Sequence, residues 1–280
     1  MDWLTDNKIP IGDWGEAFFD FLTDYFYWFF DGLSLGIETG LDGMIDGVLW
    51  LHPLLVVALI AGMAYLIHRS WKLALGIAVG LLFIINQGFW KETIETLALV
   101  IGAAGVSMMV GVPLGIAAAH RPWLFRAMRP VLDLMQTLPT FVYLIPALVL
   151  FGLGLAPGLI ATVIFAVPAP IRLTHLGVSS VPTQLVEAGE AFGSTKRQLL
   201  WKVELPYAMP TIMAGLTQCI MLSLSMVVIA ALVGADGLGK PVVRALNSVN
   251  VPMGLESGLA IVVIAIILDR LCRAGREKWD

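Results

Sequence analysis

Apolar runs long enough to cross a lipid bilayer recur along this chain, and its charged residues fall between those runs rather than within them. About 20 helical residues cover the hydrocarbon core, and only helices or closed barrels satisfy their own backbone there. The pattern predicts spanning helices at about 48–67, 71–89, 94–119, 131–153, 157–176, 211–234 and 255–272. The expected fold class is therefore all-α, a polytopic membrane protein with about seven transmembrane helices. A composition of 58% hydrophobic and 14% charged residues excludes an ordinary soluble domain. The second span follows the first after only His68-Arg69-Ser70, and its Gly76 and Gly80 stand four apart, a spacing that suits close helix packing. A buried hairpin is the alternative for that segment.

Orientation follows from the basic residues, which are retained on the cytoplasmic side of span ends. With the N-terminus outside, Arg69, Lys72, Arg121, Arg126, Arg129, Arg172, Lys196, Arg197, Lys202, Arg270, Arg273, Arg276 and Lys278 all fall inside. Only Lys8, Lys91, Lys240 and Arg244 fall outside. The long polar segment at about 178–210 is then cytoplasmic, as is the C-terminus.

Residues 13–31, DWGEAFFDFLTDYFYWFFD, place Asp13, Glu16, Asp20, Asp24 and Asp31 on one helical stripe among aromatic side chains. This suits a helix lying at the outer membrane surface, rings at headgroup level and carboxylates in water. An acidic docking surface for an external partner is the other reading. A spanning course is disfavoured, because burying several carboxylates costs several kcal/mol. The next stretch, about 33–47, carries Glu38, Asp42 and Asp46 with Gly32, Gly36 and Gly40 at four-residue intervals, which would allow close backbone contact. No leader with a basic start, apolar core and cleavage site is expected in residues 1–10.

The side chains argue against catalysis. Cys219 and Cys272 fit no metal or disulfide pattern, and His52, His68, His120 and His175 are scattered without metal-ligand spacing. There is no phosphate-binding G-x-x-x-x-G-K-[ST] loop. An ion-coupled secondary transporter of a small polar solute would place carboxylates or histidines near the bilayer midplane. Here Glu95 and Asp133 stand near span ends instead.

Some polar groups do fall at membrane depth. Pro139, Pro146, Pro168 and Pro170 interrupt helical hydrogen bonding within two predicted spans. Gln136, Thr137, Tyr143, Ser223 and Ser225 could line a path there, with Met135, Met221 and Met226 as adaptable neighbours. Ordinary interhelical packing is the alternative for each.

The most informative stretch is Glu187-Ala188-Gly189-Glu190-Ala191-Phe192-Gly193, followed after nine residues by Val203-Glu204-Leu205-Pro206. It resembles the coupling loop of binding-protein-dependent ABC import permeases, E-A-A, three residues, Gly, nine residues, Ile, one residue, Leu-Pro. Glu187, Ala188, Gly193, Leu205 and Pro206 match in register; Gly189 stands for the second Ala and Val203 for Ile. A short helix from Glu187 is expected, with Gly193 giving a sharp turn and close approach, and Leu205-Pro206 stopping the next segment. The resemblance implies a helical knob that seats in a groove of an ABC ATPase subunit, with Lys196, Arg197 and Lys202 around it.

The segments MQTLPTFVYLIPALVLFGLG at 135–154, VIFAVPAPIRLTHLG at 163–177, LPYAMPTIMAG at 205–215, LSMVVIAALVGADGLG at 224–239 and AIILDRL at 265–271 look like permeases of glycine betaine, proline betaine and choline importers. This resemblance implies a type I ABC importer permease fold. Its five-helix core would occupy 93–273, preceded by an extracytoplasmic segment at 1–47 and two accessory spans at 48–92, and followed by a cytoplasmic tail at 274–280. It further implies a bacterial inner-membrane location, a permease homodimer, an extracytoplasmic substrate-binding protein and ATP consumed by the partner ATPase. No cofactor, metal, nucleic acid or catalytic residue is expected for this chain itself. A quaternary ammonium cannot donate hydrogen bonds, so its recognition calls for aromatic rings. Tyr143 and Phe141 are the candidates in the membrane, while the family's high-affinity box is in the external binding protein.

Overall fold

The computed structural model describes residues 10–277, so Lys8 and Lys278 lie outside it, as do the side chains of Arg273 and Arg276. Every regular element among the described residues is helical. Helix α1 runs Ile11–Leu49, α2 Pro53–His68, α3 Trp71–Asn86, α4 Trp90–His120 and α5 Pro122–Thr137. A 3-10 turn at Thr140–Tyr143 leads into α6 Leu144–Phe151, then α7 Leu155–Ala166 and α8 Pro168–Ser179. Helices α9 Thr183–Ala191 and α10 Lys196–Leu199 precede a π turn, Leu200–Glu204, and the long α11 Leu205–Ala230. Last come α12 Gly239–Ser248 and α13 Val251–Glu277.

Among the described residues four stretches are long and apolar enough to cross a membrane on their own: Trp90–His120, Leu155–Ser179, Lys196–Val233 and Val251–Cys272. They correspond to four of the expected spans. The expected span at 131–153 is instead a bent pair, Pro122–Thr137 and Thr140–Phe151, turned by 106°. The cause is local. Leu138 precedes Pro139 and is held extended, with ψ 137°, because the proline ring clashes with a helical predecessor. The expected span at 71–89 is a helix of 16 residues, Trp71–Asn86, which pairs with α2 in a hairpin. It is not a buried hairpin, since Leu55, Leu59, Met63, Leu66, Leu75 and Val79 are exposed as lipid-facing residues would be.

The N-terminal region also differs from expectation. Residues 13–31 and 33–47 form one helix with an irregular step at Phe26, and its second half packs on α4, α6 and α7 through buried Leu41 and Ile45. Gly32, Gly36 and Gly40 make no close approach, for a Cβ at any of them would meet nothing within 4 Å. Four-residue spacing puts glycines on one face but does not say what that face meets. Gly76 is equally open, whereas a Cβ at Gly80 would lie 2.8 Å from Val263 of α13.

The centre of the molecule is α8, packed between α4 and α11, with α7 beside them and α13 on the far side of α11. Small residues set that closeness. A Cβ on Gly111 or Gly115 of α4 would strike Pro170 at 2.8 Å or the Ile171 carbonyl oxygen at 2.7 Å. The loop after α11 is tied back to α4, where the buried Thr96 hydroxyl accepts from the Leu238 amide at 2.8 Å. Thr96→Val keeps the shape but leaves that amide unsatisfied. It should lower stability by about 2 kcal/mol, read as a lower thermal midpoint in detergent, and Thr96→Ser should restore most of it.

Candidate functional site

The segment between α8 and α11 is a compact knob. Helix α9 carries Glu187, Ala188 and Gly189, and ends at Phe192 and Gly193. Gly193 has φ +76°, a left-handed conformation that favours glycine. It makes the sharp turn expected, but no close approach within the chain, since a Cβ there would meet nothing within 4 Å. The close approach belongs to Gly189, where a Cβ would lie 2.7 Å from Leu199 and 3.7 Å from Val203. Val203 thus packs beneath α9, and Leu199, buried beside it, completes the contact. Thr195 then opens α10 with a reciprocal capping box to Gln198, which fixes the chain direction after the turn.

Leu205-Pro206 does not stop the chain, contrary to expectation; Lys196–Val233 is one continuous helical course. The π turn explains how proline is tolerated. The Leu205 amide reaches back five residues to the Leu200 carbonyl, and the widened turn passes the Pro206 ring into α11 at the position where a missing N–H does least harm. Phe192 stands 91% exposed at the tip of the knob, beside exposed Lys196 and Arg197.

Two polar links join helix ends on the side of the bundle that carries the knob. Arg172 of α8 holds Asp133 of α5 at 2.6 Å, with Arg129 4.0 Å away. His120, last residue of α4, places Nε2 2.9 Å from a carboxylate oxygen of Glu204 in the π turn. Sequence reasoning left both pairs unpaired. His120 and Glu204 are 84 positions apart, and the only signal was an acidic residue inside an apolar Val203 to Leu205 step. Among the described residues no group of three or more His, Cys, Asp or Glu could hold a metal ion.

The expected pathway residues do not converge on one cavity of the single chain. Tyr143 is buried against Leu144, Ala147, Ala161, Met226 and Val233, and its hydroxyl donates to the Met135 carbonyl. Met135 itself packs against Leu132, Val167 and Ile171. Tyr143 and Phe141 do not form an aromatic box: Phe141 is exposed, and the ring near Tyr143 is Phe165, at 6.5 Å between centroids. The Thr137, Ser223 and Ser225 hydroxyls donate to carbonyls of their own helices, at Leu134, Cys219 and Met221. Ser223 is buried while Ser225 is exposed; Gln136 and Met221 are half-buried and Pro139 is exposed at the helix break.

A bundle of broken and continuous membrane helices, with a helical knob between α8 and α11, is the architecture of an importer permease. The family described as "Binding-protein-dependent transport system inner membrane component" matches residues 111–273. The chain belongs to this family and is a multi-pass inner-membrane transport component.

Among its relatives, the glycine betaine transport system permease protein OpuAB of Bacillus subtilis is 46% identical over 97% of this chain and 96% of its own length. The glycine betaine/proline betaine permease ProW of Escherichia coli is 42% identical over 99% of this chain and 78% of its own length. Among solved structures, the MetNI methionine ABC transporter in an inward-facing conformation has a chain with a TM-score of 0.58 at 24% identity, covering 65% of this chain and 93% of that one. That likeness shows the type I importer permease fold.

Proposed function

We propose that this chain is the permease subunit of an ATP-driven importer of quaternary-ammonium compounds, glycine betaine or proline betaine foremost. The observation that carries the reading is the near full-length identity to OpuAB and ProW, permeases for those compounds. In this reading two copies form the path, as symmetric pairs commonly do. Each knob, with Glu187, Ala188, Gly189, Gly193, Val203, Leu205 and Pro206, docks on one ABC ATPase subunit. An extracytoplasmic binding protein delivers substrate, ATP-driven closure opens the path outward, and hydrolysis resets it inward. The N-terminus lies outside and the C-terminus in the cytoplasm. The chain performs no catalysis and binds no cofactor; ATP is consumed by the partner. Residues 93–273 form the working core, and Met135, Gln136, Thr137, Pro139, Tyr143, Met221, Ser223 and Ser225 flank the path once the second copy is in place.

The test is purification of the tagged chain from native membranes in mild detergent, beside Gly193→Val. A β-branched residue is strained at φ +76° by about 1–2 kcal/mol, while the open surroundings leave no clash to confuse the result. An ATPase subunit should accompany the parent and be depleted with the variant, and vesicles holding the parent complex should take up glycine betaine only with internal ATP. Uptake that ignores ATP and follows an ion gradient would replace this reading with a secondary transporter.

A further inference from the structure

Glu204 is a carboxylate where the packing is otherwise apolar. Leu200, Leu205 and Ala208, one turn or less from it along the chain, belong to an apolar cluster in the joint between α4, α8 and α11 that also takes in Val178, Ile212, Ile116 and Ala119. The residue is 8% exposed, and a buried carboxylate is costly unless a partner answers it. The partner is His120, 2.9 Å away and the only ion-pairing group of Glu204 among the described residues.

The ring is itself held in place. Its Nδ1 lies 2.9 Å from the Ile116 carbonyl one turn back while Nε2 faces the Glu204 carboxylate, and because both partners accept, the bonded pair has a hydrogen on each ring nitrogen, Nδ1–H to the carbonyl and Nε2–H to the carboxylate. The imidazole is therefore fastened to the end of α4 and presents Nε2 to the π turn at a set height. On the other side, Glu204 belongs to the turn on which Val203 supports α9 through Gly189. A displacement of the knob moves Glu204 directly.

Given the importer reading above, on which this inference rests, we propose that His120 and Glu204 form a strut that carries movement of the ATPase-docking knob to α4. His120 is a positioning residue that acts through Glu204. Apolar contact alone lets α4 slide past the knob, whereas a directed charge-assisted bond at a fixed site transmits both push and rotation. The close crossing of α4 on α8, through Gly111 and Gly115, then passes that movement to the helix next to α11.

The experiment uses the whole complex, permease with its ATPase and binding protein, in lipid vesicles, and compares parent, H120N, E204Q and the double variant. ATP hydrolysis and uptake of labelled glycine betaine are measured together. Each single variant is expected to retain the ATPase and its hydrolysis yet carry about tenfold less glycine betaine per ATP, with the double variant no worse than either. That non-additivity marks one device; a role in folding alone would reduce assembly and leave the ratio of the surviving complexes untouched. The strut is overturned if the ratio stays at the parent value, if the two effects add, or if the ratio falls only as the ATPase is lost. A parent chain that binds no ATPase overturns the importer reading itself, a result separate from any of these.

Discussion

With the knob docked on an ATPase subunit as proposed, Phe192→Ala should weaken that contact by about 2 kcal/mol, roughly thirtyfold in Kd, while the permease itself stays as stable as before. The ring is 91% exposed, so truncating it takes little from the fold. A large aromatic held in water on the tip of a turn has most to gain from a hydrophobic groove, where burying a phenylalanine side chain contributes about 1.5–3 kcal/mol. Its backbone is fixed by the adjacent Gly193 turn and by the Phe192 amide bonding to the Ala188 carbonyl, so little freedom is lost on docking. Phe192→Leu should keep about half of the affinity change. Titration of detergent-solubilised permease with purified ATPase, paired with thermal unfolding of the permease alone, checks both halves. An unchanged Kd would place the docking contact elsewhere on α9.

The knob was legible because its pattern is local and its glycines have local reasons. Even so, only coordinates separate their tasks: Gly193 needs its positive φ, and Gly189 needs the space that Leu199 and Val203 occupy. The continuous spans were legible for a similar reason. Runs such as 94–119 and 211–234 are apolar throughout and bounded by charge, so their helices extend from Trp90 to His120 and through Leu205 to Val233 with only the ends in question. The break at Leu138-Pro139 had its signal in the proline, but a bend of 106° depends on what the two arms pack against. What sequence could not supply was partnership. His120 and Arg172 each read as a basic residue near a span end, and neither spacing nor period couples them to Glu204 or Asp133. Gly32, Gly36 and Gly40 of α1 and Gly111 and Gly115 of α4 share the same four-residue interval, yet of these only Gly111 and Gly115 meet a neighbour.

That last contrast yields the second large effect. Gly115→Ala should destabilise the protein by about 3 kcal/mol, whereas Gly105→Ala, ten positions earlier on α4, should be neutral or slightly stabilising. At Gly115 the new methyl would stand 2.6 Å from the Thr174 Cβ and 2.7 Å from the Ile171 carbonyl oxygen, backbone that cannot rotate away. At Gly105 it would meet nothing within 4 Å, and alanine is the better helix former. Relief at Gly115 requires α4 to back away from α8, and α8 is itself pressed on α11, where a Cβ at Gly177 would lie 3.1 Å from Ala208. The three helices therefore behave as a stack spaced by small residues, and prying one contact open loosens the next. Thermal unfolding in detergent should show the Gly115→Ala midpoint lowered by about 10 °C, and uptake per ATP should fall with it, because a loosened α4 no longer carries α8. A Gly115→Ala protein as stable as the Gly105→Ala protein would mean that α4 and α8 do not cross this closely in the membrane, and the path of movement from knob to bundle would have to run through α11 alone.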